Sequence, residues 1–150
     1  MTLLKNYDYI IYMEENDLRK KIIEQMTVDY SNALEKNFDL AKQFIRITKD
    51  GKVDILFKDE LGGKEQILLY LIGKLYAKEA GFTATEDVGN KELLQQLGIP
   101  KGSLLPWLKE LRDKGKIKQV KKERYKHHVM PINLVEKTLK SIERKVKNSV

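Results

Sequence analysis

The sequence predicts an α+β chain that is mainly helical, and three observations carry that prediction. Apolar residues recur at steps of three and four along most of the 150 residues, the period of an amphipathic helix. Two short runs of alternating β-formers each bracket a polar turn, the pattern of a β-hairpin. Glycine or proline stands at the edges of several helical runs, where each acts as a stop or a start.

The first residues, with Leu3, Leu4, Tyr7, Tyr9, Ile10, Ile11 and Tyr12, are apolar and aromatic without a period, and no element is assigned to them. From Asn16 the pattern turns helical: Leu18, Ile22, Met26, Tyr30, Ala33, Asn37 and Ala41 predict one long helix to about Gln43, with Asn16 or Asp17 as N-cap. A single apolar stripe on so long a helix has to be covered, by the rest of the chain or by a second copy. This helix is therefore one candidate seam of a homodimer. Ile45 to Thr48 and Val53 to Phe57 flank Lys49-Asp50-Gly51-Lys52 and predict a hairpin. Asp59 to Gly63, ending in a glycine pair, reads as a linker that closes an N-terminal region of residues 1–63.

Lys64 to Ala80 is apolar almost all round, which marks a helix buried on most sides and stopped by Gly81. After a polar connector in which Val88 suits a short strand, Asn90 is expected to cap a short helix carrying Leu93, Leu94 and Leu97, ended by Gly98. Ile99 plugs the turn. Pro100 opens the next helix, to about Lys114, with Leu104, Leu108 and Leu111 on one face and Gly115 beyond it. Trp107 sits at the edge of that inward face, suited to core packing, with partner anchoring as the alternative. Ile117 to Val120 and Tyr125 to Val129 flank Lys121-Lys122-Glu123-Arg124, a second hairpin with a basic tip. Asn133 and Glu136 resemble a capping box opening a C-terminal amphipathic helix (residues 133–150) striped by Val135, Leu139, Ile142 and Val146. That stripe is the second candidate dimer seam.

The order helix, helix, Gly-Ile-Pro turn, helix, basic hairpin, and above all the string from Glu92 to Ile117 (ELLQQLGIPKGSLLPWLKELRDKGKI), resembles the winged helix-turn-helix family over residues 64–132. The resemblance implies that the helix after the turn enters the DNA major groove while the hairpin, the wing, lies along the backbone or in a minor groove. Winged helices also dock proteins, so the alternative is a protein–protein interaction module in a larger assembly.

Charge is distributed to match. The chain carries 29 Lys+Arg against 22 Asp+Glu, net +7. Residues 1–63 are net −2 and residues 64–100 net −1, whereas Lys101 to Lys126 holds 10 basic and 3 acidic residues, net +7. A local cluster of this kind is the electrostatic footprint of phosphate contact, or else a solvated lysine-rich surface.

The candidate DNA-binding residues follow from this pattern. With Leu104, Leu108 and Leu111 inward, the opposite ridge carries Gly102, Pro106, Lys109 and Asp113, flanked by Ser103 and Leu105. Only Lys109 matches the donors that read base edges, and Pro106 departs from the family pattern, so binding is expected mainly through phosphates. Lys101, Gly102 and Ser103 at the helix start offer backbone N–H groups, close approach and a hydroxyl to a phosphate. The wing adds Lys118, Lys121, Lys122, Arg124 and Lys126, with Tyr125 placed to lie against sugars. Double-stranded DNA is thus the expected partner, in a cytoplasmic transcriptional regulator or chromatin-associated factor.

Other chemistries find little support. There are no cysteines, which removes disulfides, thiol catalysis and the usual zinc fingers. His127 and His128 are neighbours on a strand and point to opposite faces, so no shared metal is expected; a satisfied surface role suits them. No phosphate loop, Gly-x-Ser-x-Gly or His-Glu-x-x-His occurs, and the carboxylates are scattered among lysines as in solvated ion pairs. No catalytic residue or cofactor is expected. The longest apolar run, Ile67 to Ile72, is far short of the roughly 20 residues that span a bilayer, and the N-terminus lacks the pattern of a signal peptide.

Overall fold

The computed structural model describes residues 16–149. The chain divides into two compact units after Tyr30. The first contains α1 (residues 16–25), whose Leu18, Ile22 and Ile23 are exposed, as is Met26 in the turn after it. The second begins at Ser31 and holds every other element. It is α+β and mainly helical, with two small antiparallel sheets.

The long helix expected to reach Gln43 is interrupted. After the Met26 N–H bond to Ile22 the chain leaves the helix through Thr27 to Tyr30 and resumes as α2 (Ala33–Lys36) and α3 (Phe38–Ala41). The Thr27 hydroxyl bonds the Ile22 carbonyl and the Asn37 side chain bonds the Ala33 carbonyl. Short polar side chains compete with the helix for backbone partners in this way, and β-branched Thr27 and Val28 add little to hold it. The apolar spacing is continuous while the backbone is not.

β1 (Ile45–Ile47) and β2 (Val53–Ile55) form the expected hairpin, paired Ile45 with Ile55 and Ile47 with Val53. It lies on α4 (Gly63–Glu79), the centre of the core, whose residues from Ile67 to Lys74 are all buried. The closest approach is at Gly73, where any Cβ would stand 2.4 Å from Val53 Cγ1. Glycine is required there by space alone. Leu61 is buried and the 3₁₀ turn Lys58–Glu60 touches the C-terminal helix, so the stretch expected as a linker is part of the same unit as α4. The division of the chain falls after Tyr30 and not near Gly63.

Beyond α4 come β3 (Val88–Gly89), α5 (Asn90–Leu97), α6 (Lys101–Asp113), β4 (Lys118–Lys122), β5 (Tyr125–Val129) and α7 (Val135–Ser149). The three strands pair in the order β3-β5-β4. Two start signals act differently from expectation. Gly89 is the N-cap of α5, and the Asn90 side chain instead accepts a bond from His128. Asn133 lies inside a 3₁₀ turn (Ile132–Leu134), while Glu136 pairs with Lys140 and Lys36.

Val135, Leu139, Ile142 and Val146 of α7 are buried against α4 and the short helices α2 and α3. One of the two expected dimer seams is therefore covered within the chain. No helix among the described residues is long and apolar enough to cross a membrane.

Candidate nucleic-acid interface

The turn between α5 and α6 is built as its residues dictate. Gly98 takes φ 65°, the left-handed region where a side chain would be strained, and its N–H closes on the Leu94 carbonyl. Ile99 is buried, and Pro100 is the N-cap residue of α6. Leu104, Leu108 and Leu111 are buried, which fixes the rotation of α6. Gly102, Leu105, Pro106, Lys109 and Asp113 consequently form its exposed ridge. Leu105 is 61% exposed. Trp107 is half-buried and packed against the core.

At the start of α6 the Ser103 and Leu104 N–H groups bond the Pro100 carbonyl. No side chain caps this end and no acidic residue stands in its first turn, so it presents N–H groups and the positive end of the helix dipole beside the exposed Lys101. Pro106 remains inside the helix. Its missing N–H leaves the Gly102 carbonyl without its helical partner, tolerable because both residues are exposed. Lys109 pairs with Asp113 at 2.7 Å on the surface, so the ridge's single base-reading candidate is already engaged by a carboxylate.

Gly115 and Lys116 close the end of α6 by backbone bonds to Arg112 and Leu111, and buried Ile117 anchors the entry to the β4–β5 hairpin. The β4–β5 hairpin pairs Lys118 with Val129, Gln119 with His128, Val120 with His127, Lys121 with Lys126 and Lys122 with Tyr125. Its loop is two residues, Glu123-Arg124, shorter than the expected four, with Glu123 at φ 55° as tight hairpin turns demand. Lys118, Lys121, Lys122, Arg124, Tyr125 and Lys126 are all exposed, Tyr125 at 68%.

These side chains divide between the two faces of the hairpin. Lys121 and Lys126 stand directly opposite each other on the face that carries buried His128. Like charges in that relation destabilise a hairpin unless an anion lies between them. Among the described residues neither they nor Lys118 and Arg124 make an ion pair. Lys122 lies on the other face and is held at 2.7 Å by Asp87, whose second oxygen accepts a 2.6 Å bond from His127 Nδ1. Burial raises the Asp87 carboxyl, but hydrogen bonds from Lys122, His127 and Thr85 outweigh it and hold its pKa below the usual value.

Asp87 thus ties both β4 and β5 to the connector that precedes β3. No sequence period singles it out, because a polar connector looks alike whether its acid is solvated or clamped. The histidines do point to opposite faces, yet His128 is 1% exposed and not at the surface. Its Nε2–H donates to Asn90 Oδ1 at 2.7 Å while Nδ1 has no partner. Burial foremost, with the charges of Arg112 and His127, holds its pKa down at about 4.

A second polar cluster lies under the hairpin of the same unit. Lys74 is buried at 4% exposure, donates to the Gly51 carbonyl at 2.7 Å and pairs with Glu92 at 3.2 Å. Glu92 also accepts from buried Tyr70 at 2.5 Å and stands 3.5 Å from Lys52. Burial and Glu92 together push the Tyr70 hydroxyl pKa far up. These groups satisfy one another, which makes the cluster a structural tie between β1–β2, α4 and α5. One carboxylate, at least, is not the solvated pair expected.

No family model matches the chain, and no curated protein or solved structure matches it either. Among the described residues no group of three or more His, Cys, Asp or Glu is placed to hold a metal ion.

Proposed function

We propose that this chain is a winged helix-turn-helix DNA-binding protein, a cytoplasmic transcriptional regulator or chromatin-associated factor that holds duplex DNA mainly through phosphates. The observation that carries the reading is the Lys121–Lys126 pair, two like charges fixed opposite each other beside the two-residue turn that holds Arg124, with no ion-pair partner among the described residues. A phosphate between them would relieve a repulsion that the free protein keeps. The uncapped start of α6, with Lys101, Gly102 and Ser103, adds a second phosphate contact of a different kind. The ridge offers only Lys109 to base edges, so affinity is mainly electrostatic and weakly sequence-dependent.

The test is duplex binding by fluorescence anisotropy across a range of salt concentrations. The log of affinity falls linearly with log salt, at about 0.9 per phosphate neutralised. Changing Lys121, Arg124 and Lys126 to Ala flattens the slope by roughly two to three phosphates' worth. An unchanged slope would sink the wing assignment.

The exposed Leu105 beside exposed Pro106 favours a second reading, a winged helix whose α6 ridge docks a protein partner. Loss of a captured partner on Leu105→Asp, with no duplex binding at low salt, would select it. The exposed apolar face of α1 keeps the N-terminal seam as the proposed route to a homodimer. Sedimentation of the protein and of Ile22→Asp tests that seam.

A further inference from the structure

A groove of about 590 Å³ lies between α4, the end of α6 and α7. It contains none of the residues assigned above to DNA. Glu110 of α6 follows Trp107 by three residues and Lys114 lies just past the helix end, so neither belongs to the ridge of Gly102 and Lys109. The floor is apolar, formed by Leu68, Leu111, Leu134 and Ile142, and the rim carries five lysines and two glutamates.

Both glutamates are already neutralised. Glu110 accepts hydrogen bonds from Lys64 and Lys114, which hold its pKa at about 2, and Glu65 pairs with Lys145. Lys116 and Lys137 have no ion pair among the described residues, and Thr138 and Ser141 add two hydroxyls to the same lining. A cation would meet net positive charge here. A neutral apolar molecule would cover the floor and leave the two ammonium groups unmatched. A carboxylate or phosphate head with an apolar body fits both halves, and the volume is within the range of small-molecule sites.

We propose that this groove binds a small organic anion, its head held by Lys116, Lys137, Thr138 and Ser141 and its body on the apolar floor. The inference is independent of DNA binding. The probe is 8-anilinonaphthalene-1-sulfonate, an aromatic anion, titrated into the full chain and followed by fluorescence.

Saturable binding at one site is expected, weakened at least tenfold in Lys116→Glu/Lys137→Glu and unchanged in Lys121→Glu/Lys126→Glu. Thr138→Trp fills the groove without altering charge and should also abolish binding, with circular dichroism verifying that each variant is folded. Octanoate and octyl phosphate should displace the dye, their ratio reporting which head is preferred, whereas octanol and octyltrimethylammonium should not. Dye binding that persists in the folded groove variants, or displacement by octanol as readily as by octanoate, overturns the proposal.

Discussion

The buried Tyr70 hydroxyl donates to Glu92 at 2.5 Å, joining the middle of α4 to the first turn of α5. Glu92 also holds the Lys74 ammonium, which is itself buried. Removing the two partners should therefore have unequal effects. Tyr70→Phe takes away one hydrogen bond to a charged acceptor and should cost about 1–3 kcal/mol. Glu92→Ala leaves the Lys74 charge without its carboxylate and should cost about 3–5 kcal/mol. Urea denaturation of both variants checks the order; equal losses would mean that Lys74 does not depend on Glu92.

Asp87 holds the Lys122 ammonium on the hairpin face opposite the one that carries Lys121 and Lys126. Asp87→Asn keeps a hydrogen-bonding group while removing the charge that holds the ammonium. On the proposed function, the released lysine should tighten duplex binding at low salt and steepen the salt dependence by up to about 0.9. The salt-titrated anisotropy measurement reads this directly, and a slope equal to the wild type's would show that Lys122 does not reach a phosphate. Amide exchange in β4 and β5 should quicken in the same variant, since both strands lose a tie to the connector.

Acid should loosen the fold through His128 before the carboxylates titrate. Its pKa is about 4 in the folded chain and about 6.5 when unfolded, so the unfolded state binds the proton first. Stability is fully present above about pH 6.5 and is lost as pH falls toward 4, by up to roughly 3 kcal/mol. Urea midpoints between pH 7 and 5 should fall in the wild type and stay nearly level in His128→Gln. A parallel fall in both proteins would assign the dependence to another group.

Gly73 and Val53 should be energetically coupled. A Cβ at position 73 would lie 2.4 Å from Val53 Cγ1, so Gly73→Ala must push the hairpin off α4 and should cost about 1–3 kcal/mol. Val53→Ala removes the obstructing methyls but opens a cavity in the wild type. The double variant should therefore be more stable than the two single losses, added together, would predict. A double-mutant cycle giving simple additivity would contradict the close packing.

Much of the second unit is legible in consecutive residues. The all-round apolar run of α4, the Leu104, Leu108 and Leu111 stripe, the left-handed Gly98 and the two hairpins each follow from spacing or from a residue's conformational limits, which act locally. The exposed ridge of α6 follows from its stripe in the same way. The basic character of the β4–β5 hairpin is equally plain, because charge is counted without knowing the fold.

Other features needed the chain brought together. Asp87 meets His127 across 40 positions and Tyr70 meets Glu92 across 22, and in each case the same residue types would read as solvated if left apart. The α7 stripe suits a dimer seam or an internal face equally well until α4 is seen to cover it. The stripe from Leu18 to Ala41 promises one helix, yet the chain divides after Tyr30, and side-chain bonds at Thr27 and Asn37 accompany the breaks. By itself the sequence determined which local elements form and where the positive charge lies along the chain. Tertiary structure alone decided which polar groups neutralise one another, because the partners of a buried charge are chosen by proximity in space and not by order in the chain.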